Sequence, residues 1–314
     1  MRFIRTTLLV LIGLLAISWI AIAVSNKARL LVAKNYFKHE VPDWTPRLAK
    51  IGYESVEICA LSGRQTEPSR FDASARARLV AMMKDHGLAR PVVMGNFFPL
   101  AIGAERQAMI DEFRALMQLT ADLAFGNAPP VFTAVLGGIL PDWDTGRGEI
   151  LDNVVQFGRI ATEHGVVLAV EPHVGGSLNH PDKARWLVDT AASASIRLNF
   201  DVSHFVAQHL DIPAAIAVCL PRAVHIHVKD VIHKEQGFEF ALPGKSTFDY
   251  VDYFSRVSAA GSTVPVVVEV SAQVWRKEGY EPWPAAEETF RFLDGERRRS
   301  RGLHRTLEGA SHGR

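Results

Sequence analysis

From about residue 40 onward, apolar positions along the chain follow two alternating rhythms. Short runs rich in Val, Ile, Leu and Phe lie at 55–59, 91–95, 131–136, 166–171, 196–201, 223–228 and 264–270. Between them, apolar residues recur at helical spacing, as at 104–124, 150–164 and 181–192. Strand-like runs separated by helix-length intervals predict a parallel sheet with helices on its faces, an α/β fold. Gly52, Gly87 and Gly165 each stand just ahead of a strand, where a helix commonly ends on a left-handed residue.

Seven strands are visible in this pattern, and a closed (β/α)8 TIM barrel needs eight. The missing first strand has to precede the helix around 44–50, and only RLLVAKNY at 29–36 is available. That segment reads poorly as a strand. Either it closes the barrel or the barrel is incomplete there. An open doubly wound sheet is the alternative, but no Gly-rich nucleotide loop comes after an early strand. The expectation is a TIM barrel over 29–295 with a poorly defined first strand, preceded by an N-terminal hydrophobic helix.

That leading segment changes the picture of location. Arg2 and Arg5 precede an uncharged stretch at 8–24, LLVLIGLLAISWIAIAV, long enough to span a bilayer and also suited to a signal-peptide core. AIA at 21–23 offers a cleavage site, whereas Lys27, Arg29, Lys34 and Lys38 favour keeping the downstream domain on the cytoplasmic side. Residues 1–28 are therefore expected to be a signal peptide or a membrane anchor, making the domain exported (periplasmic) or membrane-anchored. At the other end, RRRSR at 297–301 marks residues 296–314 as a basic polar tail.

Composition narrows the partners. A net charge of +1 over 314 residues gives no electrostatic footprint for nucleic acid. The two cysteines, Cys59 and Cys219, lie far apart and indicate neither a disulfide framework nor a thiolate zinc site.

The chemistry lies in how the strands end. VLAVEPH stops at Glu171, LNFDVSH at Asp201 and His204, VHIHVKD at His225 and His227, and VVVEVS at Glu269. Burying a charge is costly unless it is paired or metal-bound. Barrel active sites form at the C-terminal strand ends, so these groups converge at one mouth. Three carboxylates converging there would raise one another's pKa, a cost that a cation removes. Three oxygen donors and one imidazole suit Mn2+, Mg2+ or Co2+, with Zn2+ also compatible.

The order E-P-H, D-x-x-H, H-x-H-x-K-D and V-V-V-E resembles the xylose-isomerase-like TIM-barrel superfamily, over roughly residues 44–295. IGYESVEI also resembles the second strand of that group with its Glu, here Glu57. The superfamily contains sugar phosphate isomerases and epimerases, ketose 3-epimerases, inosose dehydratases and endonuclease IV enzymes. The resemblance implies Glu171, Asp201, His227 and Glu269 as metal ligands. It implies substrate contacts for His173, His204 and Lys229, with Asp230 lining the site or orienting the ligands. Ser177 and His233 stand where ketose 3-epimerases carry a substrate-gripping Glu and Arg, which argues against a free-ketose 3-epimerase. The extra histidines of the nucleases are missing from 231–250.

The implied activity is metal-dependent isomerisation or epimerisation of a sugar or keto-polyol. A proton is abstracted next to a carbonyl, giving an enediolate held by the cation, with Glu171 and Glu269 as acid and base. An inosose-type dehydratase uses the same first step and is the alternative. A non-catalytic, membrane-tethered sugar-binding barrel is the alternative of another class. The partner in every reading is a small carbohydrate.

Overall fold

The computed structural model describes residues 30–33, 44–95, 98–99, 106–137, 140 and 142–311. Eight parallel strands form its centre: β1 (Leu30–Ala33), β2 (Ser55–Cys59), β3 (Val92–Met94), β4 (Val131–Gly137), β5 (Val167–Glu171), β6 (Ile196–Asp201), β7 (Ala223–Val228) and β8 (Val266–Val268). They pair in sequence order, and β1 pairs with β8 on one side and β2 on the other, which closes the ring. The weakest expectation is thereby resolved: Leu30–Ala33 supplies the eighth strand of a TIM barrel. Three consecutive apolar residues are enough because both neighbours satisfy its backbone.

Each strand is followed by a helix: α1 (Thr45–Ile51), α2 (Ala73–Asp85), α3 (Arg106–Asp122), α4 (Trp143–Glu163), α5 (Pro181–Ala191), α6 (Ile212–Cys219), α7 (Tyr250–Ala259) and α8 (Pro282–Ser311). Local signals set their ends. Asp72, Asp142, Asp211 and Asp249 cap α2, α4, α6 and α7 by accepting backbone N–H bonds. Gly52, Gly87 and Gly165 adopt φ of 117°, 67° and 67° at the helix-to-strand turns, where a side chain would be strained.

The apolar core lies between the strand ring and the helices. Phe113 on α3 sits edge-on to Phe132 of β4, with ring centroids 5.6 Å apart, and 4.8 Å from Phe157 of α4. Along β6 and β7, Leu198, Phe200, Ile226 and Val228 join this layer. Their alternate neighbours Asn199, Asp201, His225 and His227 are buried but polar. Strand side chains alternate in direction, so the polar set fills the inside of the barrel. Register then stacks it in layers, with Asn199 opposite His225 and Asp201 opposite His227.

The expected boundary at 295/296 falls inside α8, which continues through the basic run. Ser300 is buried, and Arg297 and Arg298 pair with Asp294 while Arg299 pairs with Glu296. One-turn spacing between opposite charges supports the helix where a solvated tail was expected. The N-terminal hydrophobic segment lies outside the described residues. Among those described, no helix is long and apolar enough to cross a membrane.

Candidate metal centre

Glu171, Asp201, His227 and Glu269 meet at the C-terminal mouth of the barrel. Each offers one ligand atom, and these atoms lie within 4.8 Å of one another. Glu171 and Asp201 are the last residues of β5 and β6, His227 is the penultimate residue of β7, and Glu269 directly follows β8. The backbone N–H of Glu269 donates to Val228 O at 3.1 Å, which holds that carboxylate beside β7. All four residues expected as ligands are brought together.

The imidazole of His227 bridges two layers. Its Nε2 lies 2.6 Å from Glu57 Oε2, while its Nδ1 lies 3.3 Å from Glu171 Oε2 and 3.2 Å from Glu269 Oε2. With Nε2 committed to Glu57, Nδ1 is the nitrogen left to face a cation. Burial alone would lower the His227 pKa, but Glu57, Glu171 and Glu269 together hold it well above the ordinary value. A divalent ion would take the place of that Nδ1 proton.

Glu57 anchors the deeper layer. Its Oε2 also accepts from His225 Nε2 at 2.9 Å, and its Oε1 accepts from Thr133 Oγ1 at 2.6 Å. Burial would raise its pKa, but His227 and His225 hold the carboxyl well below the ordinary range. Burial keeps the His225 pKa low, so the neutral ring donates through Nε2, and its Nδ1 has no hydrogen-bond partner among the described residues. Glu57, His225 and His227 also come close enough to hold an ion. Glu57 Oε2 is instead shared by the Nε2 atoms of His225 and His227, as expected of a layer that orients a ligand from behind.

In the sequence, Glu57 stands out only through the family resemblance, and Asn199 only as sharing the face of Asp201, with no role attached to either. Asn199 Nδ2 donates to Glu171 Oε2 at 2.7 Å, which fixes that candidate ligand, and it packs 3.0 Å from His227 Nδ1. The available signal was its inward parity with Asp201 on β6.

Asp201 divides its oxygens. Oδ1 accepts from the backbone N–H and the hydroxyl of Ser203, at 2.8 and 2.6 Å, and Oδ2 faces the mouth. His204 comes one turn later, and its Nε2 lies 3.0 Å from Glu171 Oε1 and 3.5 Å from Asp201 Oδ2. The His173 ring packs against His204, tilted by 50° with ring centroids 4.0 Å apart. Its Nδ1 accepts from Gly175 N–H, and burial and the neighbouring His204 lower its pKa to about 4. His173 thus lines the mouth as a neutral ring, one step from the carboxylates.

Lys229 is fully buried, and its ammonium donates to Asp201 Oδ2 and, at 2.7 Å, to Glu269 Oε2. Asp230 does not line the site. It accepts from Lys245 N–H, Ser246 N–H and Tyr250 Oη–H, and so ties the loop before α7 to the end of β7. From there a hairpin, Asp230–His233 with Phe238–Ala241, folds over the mouth. Its Phe240 lies edge-on to His204 at 5.3 Å and covers Lys229. Ser177 Oγ accepts from Leu140 N–H, and His233 stacks on His209 at 3.9 Å. Neither residue reaches the four ligands.

The family profile of the xylose isomerase-like TIM barrel matches residues 46–295. The chain belongs to that family. Inosose dehydratase from Bacillus thuringiensis (strain Al Hakam) is 25% identical over 149 residues, covering 43% of this chain and 47% of the relative. The chain thus spans about half the length of the curated relatives it matches. A D-psicose 3-epimerase from Clostridium cellulolyticum H10, solved with D-tagatose, superposes with a TM-score of 0.69 at 14% identity, over 86% of this chain and 99% of the other. A family barrel from Mycobacterium smegmatis, solved in complex with magnesium, gives 0.58 at 15% identity, over 83% and 91%. Family and structural neighbours are enzymes, and at these identities the structures establish the shared fold.

The donor set fits a hard divalent ion. Three carboxylates and one imidazole converge, with the imidazole Nδ1 turned toward them and its Nε2 held by Glu57.

Proposed function

We propose that this barrel is a divalent-metal-dependent isomerase or epimerase acting on a keto-sugar or keto-polyol. The convergence of Glu171, Asp201, His227 and Glu269 within 4.8 Å at the barrel mouth carries the reading. When bound there, Mn2+, Mg2+ or Co2+, or alternatively Zn2+, supplies Lewis acidity beside the substrate carbonyl.

The chain's own groups then divide the proton work. Burial would raise the Glu171 pKa, but bonds from His204 and His227 hold it below the ordinary range, so Glu171 is a carboxylate and a base at neutral pH. Glu269 is the more accessible of the two, with its side chain 22% exposed against 5% for Glu171. The two stand three strands apart in the ring, on β5 and just after β8. One can take a proton from one face of the carbon while the other returns one to the opposite face. His173 and His204 would present rings to the substrate, and Phe240 covers His204 and the Lys229 ammonium beside them.

The test is solvent-deuterium exchange at the carbon next to the carbonyl, run over a panel of keto-sugars with Mn2+. The wild type incorporates deuterium, and Glu269→Gln folds normally but loses at least about 100-fold of that rate, the scale of one general base. Unchanged exchange in Glu269→Gln would contradict the two-carboxylate scheme.

The relatives by sequence support a second reading, β-elimination of water as in an inosose dehydratase. Both reactions begin by the same proton abstraction. Product mass separates them: an epimer keeps the mass of its substrate, whereas dehydration loses one water.

A further inference from the structure

Lys229 is rooted at the end of β7, two residues beyond His227, and its side chain is buried to 2% exposure. Its ammonium donates to Asp201 Oδ2 and Glu269 Oε2, lies 3.5 Å from His204 Nε2, and sits 4.8 Å from the Phe240 ring centroid. Asp201 and Glu269 are two of the four residues that converge as metal ligands. The ammonium therefore uses oxygens from the same set that a divalent ion would need.

The charges explain why it is there. Glu171, Asp201 and Glu269 converge in a buried mouth and would repel one another without a positive neighbour. An ammonium on two of these carboxylates removes most of that cost, and Phe240 gives the cation an aromatic face in place of water. A divalent ion held by Asp201 and Glu269 would bring two positive charges against an ammonium already seated on the same two carboxylates, and their repulsion favours moving the ammonium away.

We propose that Lys229 is the resident cation of this site, and that a divalent metal binds by exchanging with it. The proposal rests on the metal-dependent reading above and adds a property of this chain's own residue. The barrel keeps its mouth charge-balanced without metal. Metal affinity is reduced by the fraction of molecules whose oxygens the ammonium holds. Binding of the ion frees the ammonium for a substrate oxygen, on a residue that otherwise only holds the carboxylates together.

The experiment is a calorimetric titration of Mn2+ into the wild type and Lys229→Met, with melting curves of both with and without metal. An ammonium in place nine-tenths of the time lowers apparent affinity about tenfold, so Lys229→Met is expected to bind one Mn2+ at least ~10-fold more tightly. Its metal-free form is expected to melt below the metal-free wild type, with much of that gap recovered on saturation. Equal or weaker binding by Lys229→Met overturns the exchange while leaving the metal reading intact. Absence of binding by either protein overturns both. Should Lys229→Met fail to fold, the slowly exchanging ammonium protons of Lys229 in the 15N-labelled wild type decide the matter. They shift or vanish on saturation with diamagnetic Mg2+ if the exchange occurs, and an unchanged signal at saturation overturns it.

Discussion

Glu57 shows how much one buried side chain sets at this site. By engaging His227 through Nε2 it leaves Nδ1 to face the three carboxylates, and by engaging His225 it fixes the layer beneath. Glu57→Gln keeps the shape but removes the charge and one strong acceptor. It is expected to weaken Mn2+ binding about 10–100-fold, the usual cost of losing a group that orients a ligand. The check is titration of the variant, with circular dichroism showing that the barrel is retained. The four candidate ligands were legible in the sequence because each stands at a strand end, where position alone predicts the mouth. Glu57 and Asn199 carried no such mark. Glu57 and His225 lie 168 residues apart and meet across the barrel interior through strand register, which no local pattern records. Asp230 misled for the same reason: beside Lys229 in sequence, it turns to Tyr250 instead.

At the level of elements, the strands and helices were largely legible from apolar rhythm and helix-ending glycines. β2, β6 and β7 begin and end where the apolar runs do, because each is bounded by turn or charged residues. β1 was obscure because it is only four residues long, with Leu31 and Val32 paired on both sides. The hairpin over the mouth was not visible at all. It is held by Glu239, which accepts from Lys234 at 2.5 Å and from Lys277, and by Gln273, which accepts from Phe240 N–H at 2.6 Å. Packing between elements gives a sharper test. Gly95, just after β3, lies where a Cβ would overlap the ring of Phe132 and crowd Leu116. Both neighbours are fully buried, and Phe132 is wedged against Phe113. Gly95→Ala is expected to destabilise the barrel by about 1–3 kcal/mol, the typical cost of overpacking, read as a lower denaturant midpoint at constant slope.

For the whole molecule, a closed ring turns eight strand ends into one chemical surface. A hydrogen-bonded polar interior replaces the apolar filling of an ordinary barrel core, from Thr133 and Glu57 up through His225, His227 and Asn199 to the carboxylates. Such a network is costly if left half-satisfied and specific when complete. An ion bound at its top, as proposed, is expected to stabilise the fold. At 100 times its dissociation constant, a ligand bound only by the native state adds about 2.7 kcal/mol, or roughly 4–5 °C of melting temperature for a domain of this size.

The most direct measurement is the amount of Mn2+ taken up by the purified protein at equilibrium, compared with Asp201→Asn. One ion per wild-type chain is expected, with a melting temperature raised by roughly 4–5 °C at 100 times the dissociation constant and binding at least about tenfold weaker in the variant. A wild type that binds no Mn2+, or an Asp201→Asn variant that binds it equally well, would contradict a metal centre at the strand ends.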